Sequence, residues 1–218
     1  MISEFKKRII TSIFLTVLLF LMYLYSFILI ISLIIITTIV WIEFYALISK
    51  IFKSSSFKDK FLRVALKAIS LLYLSIMTFF IIVNQNSDNN IFILYSLLVA
   101  IVSDIGGFVF GKTFKGKKLT KISPKKTISG AIGSFIFSVM LIPLFINDLY
   151  EGNTFFLFFA TLVISLTSQM GDLFISLIKR KAKVKDTSDL LPGHGGFLDR
   201  IDGIIFAIPA GIILFNIN

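Results

Sequence analysis

The sequence predicts an all-α membrane protein, a transmembrane helical bundle that crosses the bilayer about seven times. Three observations predict it. Apolar residues fill 56% of the 218 positions, 25 of them Phe, and the mean hydropathy is +0.94, well outside the composition of an ordinary soluble domain. These residues gather in runs near the ~20-residue length that a helix needs to cross hydrocarbon. Of the 22 Lys and Arg, 20 fall before the first run or in every second gap between runs, and the other two, Arg63 and Lys67, stand at the start of the third run beside such a gap.

The first run, 9–25, follows Lys6, Lys7 and Arg8. No small-x-small cleavage site follows it, so it reads as an uncleaved span rather than a signal peptide. Only a short turn at Tyr25-Ser26 separates it from the second run, 27–49. Near the inner end of that run, Trp41 and Glu43 read as an interfacial anchor pair, and residues 53–60 (KSSSFKDK) as a solvated loop. Further runs lie at 61–83, 91–111, 128–147, 154–178 and 201–217. The connections at 84–90 and 147–153 contain neither Lys nor Arg. The positive-inside rule then puts the N-terminus and three basic loops in the cytoplasm and the C-terminus outside. Seven crossings satisfy that alternation; six or eight break it. Residues 1–90 read as a membrane scaffold and residues 91–218 as the part that carries the chemistry, the two packed as one domain.

A net charge of +10 confined to those loops is explained by attraction to anionic lipid headgroups, about 1 kcal/mol per basic residue near the surface. No nucleic-acid partner is expected. The absence of Cys removes disulfides, thiolate catalysis and Cys-ligated zinc.

The chemistry concentrates between Ser168 and Asp202, where acids, bases and a glycine turn separate two apolar stretches. Charges held at a membrane boundary are costly and point to function. In a helix, Asp172, Ser176 and Lys179 recur at i, i+4 and i+7, within about 60° of one another. Gly193, Gly195 and Gly196 flank His194 in a run that can take positive φ and turn backbone N–H groups toward an anion. Asp199 and Asp202, three residues apart, face one side of a helix. Hard oxygen donors of this kind suit Mg²⁺, which takes one or two carboxylates and completes its shell with water and substrate phosphate.

The order Ser176, Lys179-Arg180, Lys185-Asp186, Pro192-Gly193-His194-Gly195-Gly196 and Asp199-Arg200-Ile201-Asp202 resembles the signature of the phosphatidate cytidylyltransferase (CDP-diacylglycerol synthase) family. About ten positions match over 27 residues. Lys121 to Thr127 resembles the family's upstream basic loop, and Ser103-Asp104 with Gly111-Lys112 the acidic end of the preceding helix. The chain departs from the pattern at Ile128, Ser129 and Gly130, where an aromatic and then a glutamate before glycine are usual, and at Gly107-Phe108, which lacks a phenol hydroxyl.

The resemblance implies an integral-membrane enzyme that converts CTP and phosphatidate to CDP-diacylglycerol and pyrophosphate. It implies Mg²⁺ on Asp172, Asp199 and Asp202, with Asp104 a weaker fourth, and leaves room for a second cation and for a homodimer. Asp172, Lys179 and Asp199 would carry the catalysis. Ser123, Lys125, Lys126 and Ser176 would bind substrate, as would Arg180, Lys185, His194 and Arg200. Pro124 restricts Ser123 to extended geometry. Lys181 and Lys183 match nothing and read as solvated. The implied location is a bacterial-type inner membrane, with the site facing the cytoplasm. Two rivals are a related membrane lipid or prenol nucleotidyl or phosphoryl transferase, and an ion-coupled transporter working through Asp104 and Asp172. A transporter of that kind spreads its site over two matching halves, whereas these charges crowd into one third of the chain.

Overall fold

A computed structural model describes residues 4–85, 90–120, 122–149 and 154–217. Lys121 of the basic loop and most of the 84–90 and 147–153 connections lie outside the described residues. The helices are α1 (Glu4–Leu24), α2 (Ser26–Ile51), α3 (Phe57–Asn84), α4 (Asn90–Phe114), α5 (Ile128–Val139), α6 (Ile142–Leu149), α7 (Thr154–Lys181), α8 (Leu198–Ile201) and α9 (Ile204–Ile217). Among the described residues extended backbone pairs only at isolated bridges, Lys118 with Thr127 and Leu191 with Gly195. The all-α expectation therefore holds.

Six helical stretches are long and apolar enough to cross a membrane, the fifth being α5 and α6 together, Ile128–Asn147. Their outward faces carry large side chains such as Phe20, 61% exposed, Phe79, 63%, and Phe155, 80%, a surface suited to acyl chains and not to water. The seventh stretch does not reach a full span. The start of that apolar run goes into α8 and a turn at Asp202-Gly203. The remaining α9 has 14 residues, about 21 Å at 1.5 Å per residue against the ~30 Å of hydrocarbon.

The helices break where the backbone requires it. Between α1 and α2 only Tyr25 leaves the helical region, at φ −127° and ψ 109°. Between α5 and α6 the chain turns ahead of Pro143, which has no N–H for an intrahelical bond and is tolerated in a first turn.

Two compact units emerge, Met1–Gln85 with Ile178–Ile201, and Asn86–Leu177 with Asp202–Asn218. The loop expected to belong with residues 91–218 thus groups with the N-terminal helices. The reason is bonding. In this first unit the Thr11 hydroxyl on α1 donates to the Pro192 carbonyl at 3.0 Å, and Glu43 on α2 gathers several groups of the same loop. Thr37 and Thr78 hydroxyls, 2.6 Å apart, tie α2 to α3.

In the second unit α4, α5, α6, α7 and α9 enclose a core around Tyr95, Val99, Leu157, Ile164 and Ala207. Its polar groups bond internally: Tyr95 Oη to Thr161 Oγ1 at 2.5 Å, and Ser134 Oγ to the Ser103 carbonyl at 2.7 Å. Without a hydrophobic drive between helices in lipid, close backbone approach over small residues does the packing. At Gly106 and Gly133 an added Cβ would strike the facing backbone carbonyl and a Phe ring. Gly133→Leu should lower the stability of the detergent-solubilised protein by about 1–3 kcal/mol, the usual cost of overpacking. Leu144→Ala, at a position 71% exposed, should change it by no more than about 0.5 kcal/mol. Thermal unfolding of the two variants beside the parent checks both.

Candidate active site

In the second unit the anionic centre is Asp172, which α7 presents half-buried. Its Oδ1 accepts from the Ser176 hydroxyl one turn on, at 3.2 Å, as the i, i+4 spacing predicts. Its Oδ2 is ion-paired with Lys126 Nζ, both side chains remaining about a quarter exposed at 26% and 24%. Asp104, on α4, lies close enough for its carboxyl to feel the charges of Asp172 and Lys126. Hard oxygens, a hydroxyl and an ammonium therefore collect around one accessible carboxylate.

The loop that supplies Lys126 is held by its own backbone. Leu119 N–H donates to the Lys126 carbonyl at 2.8 Å, Ile128 N–H to the Lys117 carbonyl at 3.0 Å, and Lys126 N–H to the Ser123 carbonyl at 3.0 Å. Thr127 caps α5 through its hydroxyl, which accepts from Gly130 N–H at 3.1 Å. Ser129, standing where the family usually has glutamate, donates to the Lys115 carbonyl and bonds the Thr127 hydroxyl at 3.0 Å. Lys125 points outward and is exposed. Asp202, buried and 8% exposed, begins the approach to α9; its Oδ1 accepts from Gly203 N–H at 3.0 Å. A Cβ at Gly171 would lie 2.8 Å from the Asp202 carbonyl, so glycine there lets α7 meet that segment.

In the first unit Asp199 organises the glycine turn. One oxygen, Oδ1, takes Lys179 Nζ at 2.6 Å. The other, Oδ2, accepts from Thr187 N–H at 2.8 Å, Gly196 N–H at 3.0 Å and the Thr187 hydroxyl at 3.0 Å. Lys179 thus turns to Asp199, while Lys126 is the ammonium on Asp172. Gly193 and Gly195 sit at φ +76° and +83°, in the left-handed region that glycine reaches without penalty. Arg200 clamps the turn: its Nε and Nη2 both donate to the His194 carbonyl, at 2.9 and 2.5 Å. His194 Nε2 lies 3.4 Å from the Ser12 hydroxyl. Arg180 donates to the Val184 carbonyl at 3.3 Å and is exposed, as are Lys181, Lys183 and Lys185.

Glu43 corrects the sequence reading. It is not an interfacial anchor: only 4% exposed, it accepts from the loop between Thr187 and Leu198. Trp41, its expected companion, donates instead to the Lys67 carbonyl at 3.2 Å. A carboxylate inside an apolar run was the available signal, since such a charge is retained only with partners.

Charge follows from these contacts. Burial raises the Asp199 pKa, but the hydrogen bonds from Lys179, Thr187 and Gly196 outweigh it and hold the carboxyl below its ordinary 3.8. Burial, then the nearby Arg200 charge, lowers the His194 imidazole below 6.5 despite a backbone bond to Pro192, leaving it neutral at pH 7.

The model of the cytidylyltransferase family matches residues 1–218. The chain belongs to the cytidylyltransferase family. Among similar proteins of this family, a "Phosphatidate cytidylyltransferase" from Rickettsia bellii (strain RML369-C) is 42% identical over 146 residues, 63% of this chain and 62% of that relative. One of the same name from Staphylococcus haemolyticus (strain JCSC1435) is 42% identical over 126 residues, 56% of this chain and 48% of the relative. One from Staphylococcus aureus (strain COL) is 38% identical over 154 residues, 68% and 58%. The match therefore spans less than two thirds of the length of these curated cytidylyltransferases.

The residues present fit a divalent cation without a ready-made cage. No three His, Cys, Asp or Glu side chains cluster as a metal-holding set among the described residues, and Mg²⁺ does not require one. Asp172 and Asp199 each give one oxygen to a lysine ammonium and keep the other on hydrogen-bond donors. A positive group already stands on each.

The linkage sign at Asp199 is that of a depressed carboxyl: its stabilising contribution is complete above the ordinary pKa and is lost as pH falls through the lower folded value. The stability difference between the parent and Asp199→Asn should hold steady from about pH 8 to 5 and shrink below about pH 4, as read by unfolding in detergent across that range.

Proposed function

We propose that the chain is a phosphatidate cytidylyltransferase, joining CTP to phosphatidate in the membrane with release of pyrophosphate. The observation that carries this reading is the match of the cytidylyltransferase family model to residues 1–218. That the similar proteins are phosphatidate cytidylyltransferases supports the lipid substrate. A phosphate oxygen of phosphatidate forms a bond to the α-phosphorus of CTP, and the bond from that phosphorus to the bridging oxygen of the β-phosphate breaks in line, expelling pyrophosphate. A phosphomonoester's second pKa is about 6, so the nucleophile is already anionic at pH 7 and no protein base is needed. What the chain contributes is position and charge.

Lys126, with Lys125 on the same loop, and the exposed Arg180 and Lys185 supply cations for the phosphates of the two substrates. Asp172 is the best-supported ligand for Mg²⁺, because its carboxylate is accessible and Ser176 already orients one oxygen. Asp202 is a further candidate ligand in the same unit, and in the first unit Asp199, with Lys179 on Oδ1 and the loop on Oδ2, is a candidate in its own right. When bound, Mg²⁺ supplies charge neutralisation on nucleotide phosphate oxygens.

The basic clusters face the cytoplasm by the positive-inside rule, in the inner membrane of a bacterial-type cell. The six long helices suffice to bring the N-terminus and all three basic loops to one side. A C-terminus outside further requires α9 to complete a seventh crossing.

In mixed micelles with cytidine-labelled CTP, phosphatidate and Mg²⁺, the purified protein should transfer label to lipid as CDP-diacylglycerol. Label entering only a prenol, or no lipid at all, would overturn the proposal. Asp172→Asn and Asp199→Asn should each lower turnover by about 100-fold or more while the proteins still extract and unfold as folded species. Wild-type turnover in either removes that residue from the site. Lys181→Ala should stay within about 2-fold, a change worth under about 0.5 kcal/mol.

A further inference from the structure

We infer that Glu43, far from the signature in sequence, is a positioning residue that holds the signature loop in its working shape. The inference rests on the cytidylyltransferase reading for what that shape serves, but the geometry of the clamp stands apart from it.

Glu43 lies near the cytoplasm-facing end of α2 and is 4% exposed. Its carboxylate uses both oxygens. Oε1 accepts from the Ser188 hydroxyl at 2.5 Å and Phe197 N–H at 3.1 Å. Oε2 accepts from the Thr187 hydroxyl at 2.9 Å and Leu198 N–H at 2.8 Å. One side chain thereby ties together the two ends of the segment that contains the glycine turn. A buried carboxylate is retained only where such donors replace its water, and here all four come from one loop.

The clamp reaches Asp199 through a shared group. The Thr187 hydroxyl lies within hydrogen-bond distance of Glu43 Oε2 and of Asp199 Oδ2, 2.9 and 3.0 Å. It has one proton, so it donates to one carboxylate at a time. Thr187 N–H and Gly196 N–H both go to Asp199, while Phe197 and Leu198 N–H go to Glu43. The two carboxylates therefore divide consecutive backbone donors of the loop between them. The glycine at 196 follows from this: a Cβ there would collide with the Thr187 hydroxyl and both Glu43 oxygens. Gly196 serves close approach, and Gly193 and Gly195 serve positive φ.

Glu43 touches no reacting atom in this account; it acts by fixing where Asp199 stands. Removing it should loosen the loop and raise the Mg²⁺ requirement, leaving the N-terminal helices in place. Limited trypsin digestion of the purified full chain reads the loop directly, because Lys183 and Lys185 are exposed just ahead of Thr187, while Lys53 between α2 and α3 and Lys58 and Lys60 in the first turn of α3 report on a separate segment. Glu43→Ala should speed cutting at Lys183 and Lys185 about 10-fold or more while cutting at 53–60 stays at the parent rate. In the CTP and phosphatidate assay it should raise the Mg²⁺ concentration for half-maximal rate by about 10-fold, the scale of a lost supporting contact at a metal site. Glu43→Asp, which keeps the charge one methylene short, should recover part of both.

Parent-like cutting at Lys183 and Lys185 in Glu43→Ala overturns the clamp. If Glu43→Ala is cut everywhere and so has failed to fold, Glu43→Asp and Thr187→Val decide: loop-selective cutting in both supports the clamp, and parent-like cutting in both overturns it. Failure of the parent to use CTP overturns the functional reading instead, and the digestion still decides the clamp.

Discussion

An ionised carboxylate inside this protein must find in the chain the donors that water would otherwise supply, and the loop after α7 is built around that constraint. Glu43 and Asp199 are satisfied together: Glu43 by the Ser188 hydroxyl and two backbone N–H groups, Asp199 by an ammonium and two N–H groups, with the single proton of the Thr187 hydroxyl shared between them. Those demands dictate which residues can stand between Thr187 and Asp199. Asp172 is the contrast. About a quarter exposed, it has only a hydroxyl on one oxygen and Lys126 on the other.

Packing supplies the frame on which that chemistry rests. In the second unit, glycine and serine replace bulk where helices approach: Gly106 and Gly133 between α4 and α5, Gly171 beside the Asp202 segment, and hydroxyls that bond across helices. Apolar side chains face outward, where acyl chains and not water meet them. Close backbone packing gives α7 a fixed azimuth, and the azimuth is what aims Asp172 and Ser176 in one direction.

Much of this was legible in the sequence because it depends on periodicity. Run lengths and Lys/Arg gaps announced an all-α membrane protein, and the i, i+4 spacing of Asp172 and Ser176 announced a contact. The glycines around His194 announced positive φ, found at Gly193 and Gly195. What failed depends on contacts between distant residues. Lys179 shares a helical face with Asp172, yet its longer reach goes to Asp199, and Lys126 from another loop takes the place beside Asp172. Glu43 was read by its neighbours in sequence, whereas its partners stand 144 to 155 positions away. The seventh span fell short because a turn at Asp202-Gly203 interrupts an apolar run that composition alone makes continuous.

The fate of the individual phosphorus atoms of CTP separates cytidylyl transfer from every other use of the nucleotide. With CTP labelled at the α-phosphorus, label should pass into the lipid product, and with CTP labelled at the γ-phosphorus it should leave wholly as pyrophosphate. Transfer of the γ-label to lipid would make the protein a kinase and rule out cytidylyl transfer.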